Sequence, residues 1–325
     1  MMVGMRVRVI GAGIVGLATA LRLREAGHAV DVVAAEVGEQ TTSAAAAAIW
    51  YPYRALPEDA VTRWAALGYH ALEALSAHPG AGVDMRAGRQ LCRAETPDPW
   101  WVDAVPRFGR VRPADLAPGY VDGFELTVPV VDMPVHLRWL VDQLATMGVG
   151  IRQDRVDDLA ATQDGVDALV NCTGLGAREL VGDTELLAVR GQVVLVEQFG
   201  LQRWTLDETD PLDPTYVVPR RDTVVVGGTA VDGDEDRAGR LDVADAILRR
   251  ASELVPELAR ARVLAHRVGL RPGRSTVRLE VDANDARIVH CYGHGGAGVT
   301  LAYGCAEDVV RLVGRRPLVG NGEAG

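Results

Sequence analysis

Residues 5–36 read MRVRVIGAGIVGLATALRLREAGHAVDVVAAE, and this stretch decides the fold. Arg6 to Ile10 is a short β-rich run, and Gly11, Gly13 and Gly16 then spell G-x-G-x-x-G. Ile14 to Ala26 follows as a helix, Gly27 stands at a C-cap position, and His28 to Ala34 is a second apolar run closed by Glu36. Strand, glycine turn, helix, strand and acid, in that order, form a dinucleotide-binding fingerprint. Gly11 permits the tight turn, Gly13 lets backbone approach a pyrophosphate, and Gly16 lets the helix pack on the strand. The helix N-terminus turns free N–H groups and a partial positive charge toward phosphate. An acid placed where Glu36 is suits a ribose hydroxyl. Basic residues before an apolar run also suit a secretory signal peptide, but three glycines in the run and a second strand close behind argue against one.

Composition narrows the partners. A net charge of −10 disfavours nucleic acid and anionic membranes. No apolar run is long enough to span a bilayer. Cys92, Cys172, Cys291 and Cys305 are scattered with no C-x-x-C, as expected for buried thiols of a cytoplasmic protein. The chain has no lysine, which excludes any mechanism built on a Schiff-base or P-loop lysine.

Beyond Glu36, Thr41-Thr42-Ser43 and the alanines Ala44 to Ala48 allow close approach of backbone or ligand, or else simply start a helix. Pro57 to Ser76 has amphipathic helical spacing through Val61, Trp64, Leu67, Ala71 and Leu75. His78 to Val131 breaks into short apolar runs, read as antiparallel strands. Asp132-Met133-Pro134 signals a helix start that runs to Met147 before Gly148. Ala168 to Cys172 then returns to the α/β pattern, so the dinucleotide unit is interrupted and resumed. Val189–Val196, Tyr216–Thr229 and Val263–Leu279 are strand-rich, and Leu241–Leu254 is a helix with Asp242 as its cap. A strand at Arg287–Cys291, a glycine loop and a helix at Val299–Val313 close the pattern, with a disordered tail at 319–325.

The loop Gly293-His294-Gly295-Gly296-Ala297-Gly298-Val299-Thr300 has P-loop glycine spacing, but Val299 stands where the phosphate-binding lysine belongs. What remains is a second glycine turn feeding a helix N-terminus. His290 and His294 straddle a strand end and a turn, a poor spacing for a metal site. No G-x-S-x-G is present, which counts against nucleophilic hydrolysis. Arg271, beside Pro272 and between strand-like segments, suits either a bidentate carboxylate clamp or a surface ion pair. Tyr216 heads the β-rich YVVP, where a tyrosine at the edge of the core is the plainer reading.

The chain resembles the D-amino-acid oxidase family of the glutathione-reductase-like FAD-binding class. Matching blocks run nearly end to end: VIGAGIVGLATAL (9–21), TTSAAAAAIWYPY (41–53), VDMPVHLRWL (131–140), VNCTGLGA (170–177), RGQVVLVE (190–197), YVVP (216–219), VVVGGTA (224–230), GLRPGRSTVRLE (269–280) and VHCYGHGGAGVTLAYGCA (289–306). The resemblance implies an α/β fold: a Rossmann-like FAD-binding domain built from discontinuous segments, 1–48, 132–187 and 270–318, plus a β-rich α+β substrate domain from 49–131 and 188–269. It implies non-covalent FAD, a D-amino acid and dioxygen as reactants, and 2-oxo acid, ammonia and hydrogen peroxide as products. The C-terminus carries no peroxisomal address, so a cytoplasmic location is expected. A homodimer is left open.

Residue by residue, the resemblance makes Arg271 the substrate-carboxylate clamp, Tyr216 its hydroxyl partner and Gly296 the residue whose carbonyl accepts from the substrate amine. It sets Ile49, Tyr51, Tyr53, Val218 and Leu212 around the substrate. It assigns the cofactor to Gly11, Gly13, Ile14, Val15, Gly16, Ala35, Glu36, Thr41, Thr42, Ala46, Ala47, Ala48, Val156, Thr173, Gly174, His294, Gly295, Gly298, Val299 and Thr300, with Arg271 and Gly296 contributing. Three departures stand out. The ribose acid usually lies at the position of Ala35, one before Glu36. The loop before Tyr216 is short and lacks a second active-site tyrosine. Ala48, Tyr51 and Ala297 replace a common glycine, glutamine and tyrosine. The nearest rivals are an oxidase of D-aspartate or of glycine and sarcosine, a flavin binder without catalysis, and a nicotinamide dehydrogenase. An acidic substrate would want a second cation, for which Arg220 and Arg221 are the candidates, set in a solvated turn.

Overall fold

The computed structural model describes residues 4–315, so the expected tail at 319–325 lies outside the described residues. Arg6–Ile10 is a strand with Val7 and Val9 fully buried, and Ile14–Glu25 is a helix whose apolar residues are almost all buried. This stretch therefore lies inside the fold, its strand internal to a six-stranded sheet. The Ala29–Ala34 strand pairs parallel with Arg6–Ile10 on one side, and Ala168–Asn171 pairs parallel on the other. The sheet extends through Ile151–Gln153 at one edge and Ile288–Tyr292 then Arg278–Val281 at the other, six strands drawn from three separated stretches of chain. All pairs are parallel except the last. Strands buried on both faces need continuous apolar runs, as Ile288–Tyr292 and Ala168–Asn171 provide.

A nine-stranded, mostly antiparallel sheet forms the second layer. Its order runs Val231–Asp232, Leu187–Glu197, Thr223–Gly227, Thr215–Pro219, Trp204–Asp207, Val83–Cys92, Asp122–Val131, Phe108–Arg110, with Val263–Gly273 on the far side of Leu187–Glu197. The Leu241–Leu254 helix covers one face through Ala244, Ile247 and Ala251 against Val194, Val217 and Val226. Its N-cap is Arg240, so Asp242 sits in the first turn and does not cap the helix.

The Glu58–Leu75 helix corrects the sequence expectation. Its buried stripe is Val61, Trp64, Ala65, Gly68, Tyr69 and Leu72, while Leu67 is 40% exposed. The reason is a close crossing with the Gly298–Gly314 helix. A Cβ on Gly68 would stand 2.0 Å from the Thr300 carbonyl oxygen, and one on Gly304 2.2 Å from that of Trp64. Hydrophobic spacing cannot see a contact made by glycine. Asp308 clamps the same crossing, accepting from Arg63 at 2.8 and 2.7 Å and from the Trp64 indole at 2.8 Å.

Candidate active site

The glycine turn closes against its neighbours through backbone contact. A Cβ at Gly11 (φ +113°) would lie 2.4 Å from the Cys172 carbonyl oxygen, and one at Gly16 2.0 Å from that of Gly11. Neither position admits a side chain. Gly13 caps the Ile14–Glu25 helix, has no side chain to offer, and no acid lies in the first turn. Ser43 reaches across, its hydroxyl accepting from the Ile14 amide at 3.0 Å.

From this turn a cavity of about 690 Å³ runs between the two sheets. Its wall includes Gly11, Gly13, Ile14, Val15, Ala35, Glu36, Thr41, Thr42, Ala46, Ala47, Ala48, Val156, Thr173 and Gly174. Farther along it meets Ile49, Tyr51, Tyr53, Tyr216, Arg271, His294, Gly295, Gly296, Gly298 and Val299. The two glycine turns, more than two hundred residues apart in sequence, thus face one space. Gly16 and Thr300 stand just behind the wall. Gly16 sits under the turn. Thr300 bonds the backbone of Tyr51 twice, accepting from its amide at 2.9 Å and donating to its carbonyl at 3.0 Å.

Two expected wall residues are elsewhere. Val218 shares the face of Tyr216 on the Thr215–Pro219 strand but is wholly buried in the core beyond it. Leu212 is 58% exposed in a turn held by Asp210, outside the cavity, and Pro214 and Glu208 line the wall in its place. Arg220 is not in a solvated turn either. It is buried, donating to the Ala46 carbonyl at 2.7 Å and lying 3.8 Å from Asp132, so it braces the alanine stretch from behind. Arg221 is exposed beside Asp84, and neither arginine reaches the cavity.

Arg271 lies near the end of the Val263–Gly273 strand, where Nη1 donates to the Thr229 carbonyl at 3.0 Å. Its guanidinium fits only because residue 191 is glycine: a Cβ there would stand 2.4 Å from both Nη1 and Nη2. Tyr216 is accommodated likewise by Gly227 and Gly228, where a Cβ would come within 2.1 and 2.6 Å of the phenol. Burial pushes the Tyr216 phenol up, against the pull of Arg271, so it stays protonated and can donate. The Tyr53 ring packs on Gly296, whose Cβ would fall 2.4 Å from Cδ1. The Tyr53 hydroxyl is buried with no partner among the described residues, and its side chain lines a cavity that could supply one. Burial pushes the His294 pKa down to about 4, so it is neutral at physiological pH. His294 belongs to a loose group with Cys291 and Cys305, whereas His290 turns away to Asp282 at 2.9 Å and to Asn171. All four cysteines are buried free thiols.

Three features escaped the sequence. Glu208 lines the cavity, its carboxylate accepting from the Tyr51 hydroxyl at 2.7 Å, with Gln90 at 2.9 Å from the same hydroxyl. Burial pushes Glu208 up to about 7 and, together with Glu208, pushes the Tyr51 phenol well above its ordinary value. A signal was present, because strand parity carries Trp204 and Leu206 on to Glu208, an acid continuing an inward face. Gly191, Gly227 and Gly228 make room for side chains far away in sequence, which no local motif encodes. Arg237 pairs with Glu36 at 2.9 Å at the cavity rim, joining the acid that stands one position late.

The residues present fit FAD. Backbone closes around a turn that admits no side chain, the first helical turn carries no anion, and an unpartnered hydroxyl faces the far end of the same cavity. Among the described residues, no helix is long and apolar enough to cross a membrane.

Comparison with known proteins agrees. A family model described as FAD dependent oxidoreductase matches residues 6–312. A D-amino-acid oxidase of Rubrobacter xylanophilus is 46% identical, covering 96% of this chain and 99% of its own. A D-amino-acid oxidase of Streptomyces coelicolor is 42% identical over 94% and 95%. A human D-aspartate oxidase is 33% identical over 95% and 94%. In fold, the crystal structure of a glycine oxidase from Geobacillus kaustophilus superposes with a TM-score of 0.81 at 21% identity, covering 97% of this chain and 96% of that one. By the extent of the matching model and of these relatives, the chain belongs to the family of FAD dependent oxidoreductases that includes the D-amino-acid oxidases.

Proposed function

We propose that the chain is a D-amino-acid oxidase, converting D-amino acids to 2-oxo acids and ammonia with release of hydrogen peroxide. One observation carries the site assignment: Arg271, Tyr216 and the unpartnered Tyr53 hydroxyl line the same cavity as the Gly11–Val15 turn. In this reading the six-stranded sheet, with segments 1–48, 132–187 and 270–318, holds the cofactor, and the nine-stranded sheet, with 49–131 and 188–269, holds the substrate.

When bound, FAD supplies the hydride acceptor and the route by which dioxygen is reduced. The chain supplies the pose. Arg271 takes the substrate carboxylate on its free guanidinium edge, since Thr229 occupies only part of it. Tyr216, kept protonated by burial, donates to the same carboxylate. Tyr53 offers the second hydroxyl that the short loop before Tyr216 lacks. The carbonyl of Gly296 accepts from the substrate amine, and the N-terminus of the Gly298–Gly314 helix, free of acids in its first turn, favours negative charge developing nearby. Fixing both ends of the amino acid is worth several kcal/mol of barrier, up to roughly 7–11. The amine reacts neutral, so the rate rises with pH.

The test is an anaerobic visible spectrum of the purified protein before and after D-alanine, with L-alanine as control. Bleaching of a flavin spectrum by the D form alone is the expected result. A flavin spectrum bleached by no D-amino acid of a panel that adds D-arginine, D-norleucine and D-aspartate would overturn the reading, and a protein that takes up no FAD would overturn the cofactor with it. The rival D-aspartate oxidase gains no second cation from Arg220 or Arg221, and a comparison of D-aspartate with D-alanine separates the two.

A further inference from the structure

Glu208 has no role in the steps above, yet it is set into the wall of the same cavity. It is half-buried and lines that space. Among the described residues it has no ion-pair partner, and its hydrogen bond comes from the Tyr51 hydroxyl to one carboxylate oxygen. Among the described residues, the other oxygen accepts no hydrogen bond. Tyr51 is itself fixed: its backbone is bonded twice to Thr300, its ring packs edge-on to Trp101 at 5.2 Å, and its hydroxyl is also held by Gln90. A carboxylate gripped by one rigid donor and left open on its other side is built to receive a further donor. Among the described residues, Arg220 is committed to the Ala46 carbonyl and Arg221 is at the surface, while the wall arginines Arg155, Arg178 and Arg237 are paired with Glu179, Glu235 and Glu36.

We propose that Glu208 selects the substrate side chain, accepting a D-amino acid that ends in a guanidinium or ammonium group and rejecting D-aspartate and D-glutamate. This rests on the oxidase reading and adds the substrate class to it. Arg271 takes the α-carboxylate, and Glu208 takes the distal cation. An anionic side chain would meet the like charge of Glu208, which costs binding, whereas a cation gains a charge-assisted hydrogen bond.

The test compares kcat/KM for D-arginine, D-lysine, D-norleucine, D-aspartate and D-glutamate on the FAD-loaded enzyme, then repeats the set with Glu208→Gln. Wild type is expected to prefer D-arginine over D-norleucine by roughly tenfold or more, and over D-aspartate by more still. Glu208→Gln should collapse the D-arginine to D-norleucine ratio by on the order of tenfold. Tyr51→Phe, which keeps the carboxylate but removes its holder, should reduce the ratio less. A second readout is independent of turnover: perturbation of the flavin spectrum by the guanidino acid that lacks the α-amine, against hexanoate. Preference for the guanidino acid in wild type, lost in Glu208→Gln, supports the assignment. A ratio unmoved by Glu208→Gln, or D-aspartate oxidised as well as D-arginine, overturns it. A protein that binds the guanidino acid through Glu208 yet oxidises no D-amino acid would uphold this assignment while sinking the oxidase reading.

Discussion

The two ends of the cavity use glycine for opposite purposes. At the nucleotide end Gly11 and Gly16 let backbone meet backbone, Gly11 against Cys172 and Gly16 against Gly11. At the substrate end Gly191, Gly227 and Gly228 let side chains lie on backbone, Arg271 over the first and Tyr216 over the others. The first kind of contact has no slack, because a carbonyl one residue beyond a buried parallel strand cannot move without that strand. The second kind has slack, because the tip of an arginine can swing. Damage at one end should therefore appear as lost stability, and at the other as lost pose.

The largest expected effect tests the rigid end. Gly11→Ala combines a left-handed backbone with a Cβ at 2.4 Å from the Cys172 carbonyl and should cost more than about 4 kcal/mol, seen as loss of folded, FAD-binding protein in thermal melts and flavin titration. Survival of a yellow protein with an unchanged melt would break the comparison. Next is Arg271→Ala, which should leave the melt close to wild type and raise KM for D-amino acids roughly a hundredfold, about 3 kcal/mol. An unchanged KM would remove Arg271 from the site.

Glu208 gives a pH test of the substrate end. Its folded pKa, about 7, is above that of an unfolded glutamate, so the native state binds the extra proton. The cost of burying its charge is absent below the unfolded pKa, grows as pH rises, and is complete above about 7. The groups around it are the Tyr51 hydroxyl, Gln90, the Asp207 carboxylate, which pushes its pKa up, and Tyr53. Glu208→Gln should therefore melt higher than wild type at pH 8, by up to about 3 kcal/mol, with the difference vanishing near pH 4. A pH-independent difference would count against the buried charge.

Gly191→Ala sharpens the contrast most directly. The new methyl meets the movable tip of Arg271, so the melt should shift by less than about 1 kcal/mol while kcat/KM falls roughly tenfold. A large loss of stability instead would show this end to be as rigid as the other. The smallest effect is at Ala48, whose φ of +57° explains why glycine is common there. Ala48→Gly relieves about 1 kcal/mol of left-handed strain but gives up a buried methyl worth about 0.8 kcal/mol, so melts should differ by less than about 1 kcal/mol.

How much was legible follows from sequence separation. The strand, turn, helix and strand of residues 5–36 close within one another's reach, so their spacing states the contacts outright. The same holds for the helix after Asp132 and for the loop before the Gly298–Gly314 helix. The blocks that carry the family resemblance hold most of the residues that the cavity brings together, whereas strand burial and a surface turn keep Val218 and Leu212 out of it.

By itself, then, the sequence determined the nucleotide turn, the parallel layer built on it and the absence of any lysine chemistry, because local spacing and composition suffice for these. Only the tertiary structure decided which face of the Glu58–Leu75 helix is buried, where Arg220 spends its charge, and that Glu208 stands in the wall with an oxygen to spare. Each of those depends on a partner more than seventy residues away, and a chain does not write such a pairing in any one of its segments.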